Sequence, residues 1–181
     1  MKFIEFIPHL GLVFAGLAYT HNEFGILYLL IGWLLLNLSD SFDNRKIPAT
    51  LTYGGAVLLS LYLLTYFQWF VLDSILLLII IYPVAKRYPI SAFYKGFAYS
   101  LLFFLPFRSF NPASLSPYAF LGILATISEI SHEAHHSEKD ARDGYYTTAR
   151  YLGIQFSLLE RMLVKGIVSI IGIAVVILVI I

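Results

Sequence analysis

An all-α polytopic membrane protein is the fold this sequence predicts, on three observations. First, 59% of its 181 residues are hydrophobic and only 13% are charged. Second, apolar stretches recur at lengths close to the ~20 residues that cross ~30 Å of hydrocarbon as a helix. Third, most ionisable residues gather between those stretches. A mean hydropathy of +0.80 is too high for a soluble domain, whose surface must face water. Continuous apolar runs also argue against the alternating segments of an outer-membrane barrel.

The first span is read at 6–19. Its segment carries Glu5 and Pro8 and no small-residue cleavage site, so it is expected to be retained rather than removed as a signal peptide. Further spans are read at 24–38, 50–66, 69–85, 90–106, 114–131 and 165–181, giving seven crossings. They form a single membrane domain, 1–181, with pseudo-repeat halves of 1–85 and 86–181. The connections at 20–23 and 67–68 read as plain turns, and Gly11, Gly16, Gly54 and Gly55 as places where helices approach closely. With no cysteine, disulfides, thiolate catalysis and cysteine-ligated metals are excluded, and a net charge of +1 argues against a nucleic-acid partner.

Placing the N-terminus in the cytoplasm puts Lys2, Arg45, Lys46, Lys86, Arg87, Lys139, Arg142, Arg150, Arg161 and Lys165 inside, against Arg108 alone outside. That asymmetry sets the orientation. Segments 37–49, 84–89 and 132–153 then share the cytoplasmic face, which becomes the candidate active surface.

Two polar sets on that face share a spacing. Asn37, Asp40 and Asn44 stand at i, i+3, i+7, on one side of a helix, and Glu133, His136 and Asp140 repeat the pattern 96 positions later. A pseudo-repeat would set the two groups opposite each other. Asp40, Glu133 and Asp140 are hard oxygen ligands, with Asp43, Glu129 and Asp143 nearby, and suit Mg²⁺ held partly by a substrate's phosphates. Lys86 and Arg87 would supply cations for phosphate oxygens. The plainer alternatives are solvated helix ends for the acids and positive-inside anchors for the bases. Lys95 either snorkels to the interface or joins the phosphate cluster.

These residues resemble the UbiA superfamily of integral-membrane prenyltransferases. Glu133-x-x-His136-x-x-x-Asp140-x-x-x-Gly144-x-x-Thr147-Thr148-Ala149, followed by Leu152-Gly153, is similar to the family's second motif, D-x-x-D-x-x-x-D-x-x-x-G-x-x-T with a helix ending in L-G. Tyr82-Pro83-x-x-Lys86-Arg87-x-Pro89 through Lys95-Gly96 resembles its basic segment, and 37–44 occupies the place of its first motif, N-D-x-x-D-x-x-x-D.

The resemblance implies a ring of helices around a lipid-accessible cavity and Mg²⁺-dependent transfer of a polyprenyl group from its diphosphate to a small or lipid acceptor. It implies Asp40, Glu133 and Asp140 as catalytic. Asp40, Asn44, Glu133 and Asp140 become the Mg²⁺ ligands, and Asn37, Asn44, Lys86, Arg87, His136 and Lys139 bind diphosphate. Asn37 and Asn44 stand where the family has the outer acids of its first motif, and Glu133 and His136 replace two acids of the second, so weaker Mg²⁺ binding is expected. The family has about nine helices by that resemblance, so a ring lacking its last two is expected here. A partner subunit, a second copy or lipid would complete it, in an active enzyme or in a non-catalytic paralogue that binds an isoprenoid lipid.

Two other motifs compete. His132-Glu133-Ala134-His135-His136 satisfies H-E-x-x-H, the zinc site of intramembrane metalloproteases. A third ligand at Asp140 would lie on the same helix, where positions i, i+4 and i+8 span about 12 Å, and no acid follows Glu160. Asp140-Ala141-Arg142-Asp143-Gly144 matches the start of a phosphatidyl-alcohol transferase motif, but its second acidic pair is missing.

Overall fold

The computed structural model describes residues 2–21 and 25–180, so the second half of the turn expected at 20–23 lies outside the described residues. The described chain is all-helical, without a strand. The α-helices are α1 (Lys2–Thr20), α2 (Gly25–Asp43), α3 (Ile47–Ser60), α4 (Tyr66–Ala85), α5 (Ser91–Ser100), α6 (Leu115–Arg142), α7 (Thr148–Tyr151) and α8 (Leu158–Ile180). Short 3₁₀ turns extend α3 (Leu61–Leu63) and α5 (Leu101–Phe104) and precede α6 (Pro112–Ser114). Three stretches, Gly25–Asp43, Tyr66–Ala85 and Pro112–Arg142, are long and apolar enough to cross a membrane, and His9–Thr20 and Ile47–Leu63 are shorter apolar helices.

Helix ends depart from the apolar spans wherever local chemistry overrides hydropathy. α6 runs past 131 to Arg142 and stops at Gly144, whose φ of +76° a Cβ-bearing residue rarely adopts. There Tyr145 N–H bonds to Asp140 C=O (2.8 Å) and Gly144 N–H to Ala141 C=O (3.2 Å), the paired bonds of a Schellman ending. Gly153, at φ +65°, ends α7 the same way. α8 begins at Leu158, seven residues ahead of the apolar span, because Ser157 and Glu160 form a capping box. Helix α5 tightens into the 3₁₀ turn Leu101–Phe104 after Ser100, ahead of Pro106.

Packing joins α1 to α2, α2 to α4, α4 to α5, α5 to α6, α6 to α8 and α8 back to α1. These six helices close a circuit, and α3 lies against α2 outside it. Phe103, Phe104 and Phe107 pack on one another, and Tyr19 stacks on Phe107, so the 3₁₀ turn after α5 plugs one end of the circuit. Buried Gln68 braces that end, donating to Tyr28 Oη (2.9 Å) and to Leu105 C=O (3.1 Å) while its Oε1 accepts the Thr65 N–H (2.9 Å). Outward, large apolar side chains such as Ile26, Leu51, Phe70 and Leu178 are exposed, as a lipid-facing surface requires.

The glycine expectation holds at one position of four. A Cβ at Gly16 would collide with the Phe103 carbonyl, whereas Gly11 and Gly55 face open space and Gly54 makes only an ordinary contact with Leu38. A second close approach, which the sequence did not single out, is at Gly96, where a Cβ would stand 2.7 Å from the Thr126 backbone. That absence of a side chain lets α5 lie directly on α6.

Candidate functional site

The C-terminal ends of α2, α4 and α6 and the N-terminal halves of α1, α5 and α8 meet at one end of the bundle around a polar cavity of about 380 Å³. All six helices of the circuit contribute to its wall. Lys86, which caps α4, reaches between the two polar sets. Its Nζ lies 3.4 Å from Asp43 Oδ2 on α2 and 3.8 Å from Asp140 Oδ1 on α6, with the Tyr145 ring 4.6 Å beneath it. Lys86 thus links Asp43, the acid beside the first set, to Asp140 of the second. Asp40 accepts from Asn44 Nδ2 at 3.0 Å and pairs with Lys46 at 3.7 Å.

Glu133 is fully enclosed, and both its oxygens are engaged. Ser91 Oγ donates to Oε1 (2.5 Å) and the Ala149 N–H to Oε2 (3.2 Å). Ser91 Oγ in turn accepts the Thr148 N–H (3.1 Å), and Thr148 Oγ1 accepts the Ala92 N–H (3.0 Å). The carboxylate thus clasps the start of α5 and the start of α7 onto α6. The Thr148-Ala149 pair within the motif supplies the other half of the clasp.

Deeper in, a second ionic cluster lines the same cavity. Glu129 on α6 takes Lys95 Nζ on one oxygen (3.1 Å) and His9 Nε2 on the other (3.2 Å). Lys95 also lies over the rings of Tyr82 (5.0 Å) and Tyr99 (5.5 Å), and the His9 ring meets Tyr99 edge-on at 4.3 Å. Such a buried ion pair persists only because each charge is matched.

Beyond His9 the bundle opens into an apolar cavity of about 560 Å³ between α1, α6 and α8, walled by residues such as Leu12, Phe14, Leu121 and Ile173. It runs from Val168 to Ile177 along α8, roughly 13 Å at the helical rise. His9 lines both cavities.

Of the residues singled out in the sequence, Asp40, Asn44, Lys86, Glu133, His136, Lys139 and Asp140 line the polar cavity. Asn37 does not. It donates to the Trp33 C=O (2.8 Å) in its own helix. Arg87 is exposed and outside the wall. His9, Tyr82, Tyr99, His132 and Lys165 line it without having been singled out for it. For His9 a signal existed, since an ionisable side chain inside an apolar helix marks a functional position by default.

Among the described residues no group of three or more His, Asp or Glu side chains is gathered to hold a metal ion. Asp40 and Asp140, the carboxylates expected to hold Mg²⁺, both line the polar cavity and each pairs with a lysine, Lys46 and Lys86. His132 and His136 stand ring to ring at 4.7 Å, and Arg161 Nη2 lies 2.9 Å from His132 Nδ1. No family model, curated protein or solved structure matches this chain.

Proposed function

We propose that this protein is a UbiA-like integral-membrane prenyltransferase. It takes a prenyl diphosphate with the head in the polar cavity and the tail in the apolar one, and passes the prenyl group to a small or lipid acceptor. The observation that carries this reading is the shared wall at His9, where a charged cavity adjoins an apolar one, so that a single amphiphile fills both. The seven longer helices are then its membrane spans in a UbiA-like ring, and the polar end and N-terminus are cytoplasmic.

In this reading Lys86, Lys139 and Lys165 hold phosphate oxygens at the cavity wall. Asp40, Asn44 and Asp140 supply the protein's share of the Mg²⁺ ligands. When bound, Mg²⁺ neutralises charge that develops on the departing diphosphate. Glu133 holds the cavity end together. The apolar wall keeps water from the allylic carbon as its bond to oxygen breaks. Arg161 beside His132 sets a positive charge where a zinc protease would need its metal, and so weighs against the H-E-x-x-H alternative.

A second reading, a non-catalytic binder of isoprenoid lipid within a larger assembly or homo-oligomer, is favoured by Lys86. Its ammonium already bridges Asp43 and Asp140, where a divalent ion would otherwise bring them together. Incubating the purified chain with geranylgeranyl diphosphate, Mg²⁺ and a panel of acceptors separates the two. Acceptor-dependent diphosphate release is expected. Tight binding that is indifferent to EDTA, with no release, would overturn transfer and leave the binder.

A further inference from the structure

We infer that the neck between the two cavities is a hydroxyl subsite, built from His9 and Ser128, that receives an alcohol or phenol. Two residues that line the apolar cavity each carry a buried polar atom without a hydrogen-bond partner among the described residues, His9 Nδ1 and Ser128 Oγ. His9 is 5% exposed and Ser128 1%. Buried polar atoms left unpaired in an apolar wall are costly, and a ligand that pairs them recovers that cost.

The chemistry of the two atoms selects the ligand. Because His9 Nε2 faces the Glu129 carboxylate at 3.2 Å, that nitrogen carries the proton in the neutral ring, and Nδ1 is left as an acceptor. Ser128 offers a hydroxyl that can donate. A ligand hydroxyl can donate to Nδ1 and accept from Ser128, the one group that matches both. An ether or carbonyl accepts from Ser128 but leaves Nδ1 unpaired. Other hydroxyls in the helices, such as those of Thr126 and Ser169, turn back onto their own backbone, to Gly122 C=O and Lys165 C=O. Ser128 does not.

This subsite rests on the proposed transfer only for its role, in which the bound hydroxyl is the prenyl acceptor. Its oxygen forms the bond to the allylic carbon as the carbon–diphosphate bond breaks. The bond pair leaves with diphosphate, and the hydroxyl proton passes to His9 Nδ1, the imidazolium being balanced by Glu129. The product is a prenyl ether. His9 is then a catalytic residue and Glu129 a positioning one.

The test measures binding of para-nonylphenol and of its methyl ether, para-nonylanisole, to the full chain in nanodiscs, corrected for empty discs. Wild type is expected to prefer the phenol by about tenfold or more. His9→Ala shrinks that preference toward unity while leaving the ether's affinity unchanged, and Ser128→Ala, which removes the donor both ligands accept from, lowers the two affinities alike. Ser128→Ala removes one atom from a helix interior, and an unchanged affinity of both ligands in it overturns the subsite even if His9→Ala fails to fold. Equal affinity of wild type for phenol and ether, or a preference that survives His9→Ala, overturns the subsite. With geranylgeranyl diphosphate added, phenol-dependent diphosphate release that His9→Ala abolishes supports the acceptor role. A phenol preference without any release keeps the subsite and defeats the transfer reading alone.

Discussion

Lys86 is 15% exposed at its side chain and stands between carboxylates from two different helices, so its loss leaves Asp140 buried without its cation. Lys86→Met is expected to destabilise the fold by about 1–3 kcal/mol and to weaken geranylgeranyl diphosphate binding by about tenfold or more. Thermal unfolding in detergent and equilibrium binding read the two effects separately. Glu133 is the contrasting case. Glu133→Gln keeps an acceptor for Ser91 but turns an amide NH₂ toward the Ala149 N–H, so a donor faces a donor. A loss of about 1–3 kcal/mol in unfolding stability is expected, with ligand affinity changed far less than by Asp140→Asn. If Glu133→Gln instead leaves stability intact and abolishes binding, the clasp is the wrong description of this side chain. Spacing in the sequence placed Glu133 and Asp140 on one helix face. It could not tell an acid aimed at a ligand from one whose oxygens are taken by Ser91 and Ala149, because both partners arrive from other helices.

At the scale of elements, the positions of the helices were legible in hydropathy, and their ends were not. The stops at Gly144 and Gly153 and the start at Ser157 are set by backbone conformation and capping bonds, to which a hydropathy window is blind. The capping box gives α8 a pH signature outside the membrane-spanning segments. The Glu160 carboxylate is held below its usual 4.5 by the Ser157 N–H and hydroxyl. A lowered folded-state value means the stabilisation is fully present above the ordinary glutamate range and fades as pH falls through the folded value. Amide exchange at residues 158–161 is therefore expected to quicken, beyond its intrinsic pH dependence, as pH drops below 4.5. In Glu160→Gln that excess should vanish. Packing makes a second test. Gly96→Ala pushes a methyl into the Thr126 backbone and is expected to cost about 1–3 kcal/mol or more. Gly55→Ala, in open space, should be neutral or stabilising by about 0.5–1 kcal/mol, since alanine is the better helix former. Equal effects from the two would mean that α5 and α6 are not in this close contact.

For the whole molecule, the sequence showed where charge collects but not that an apolar cavity lies behind it. A cavity is a property of how α1, α6 and α8 fail to fill the space between them, and no window along one helix carries that information. The arrangement makes a prediction in which head and tail must act together. The polar cavity alone would take inorganic diphosphate, and the apolar cavity alone would take geranylgeraniol. Because both open onto His9, one molecule bearing both parts fills them at the entropic cost of immobilising a single ligand. A ligand that binds only the folded state raises the unfolding temperature in proportion to the logarithm of its concentration over Kd. Geranylgeranyl diphosphate at a given concentration is thus expected to raise Tm more than geranylgeraniol and inorganic diphosphate added together at that concentration. His9→Trp, which places an indole at the neck, should reduce the amphiphile's effect to that of the better of its two parts. If the mixture of parts already matches the intact amphiphile in wild type, the two cavities do not act as one site, and the charged end must serve a ligand without a tail.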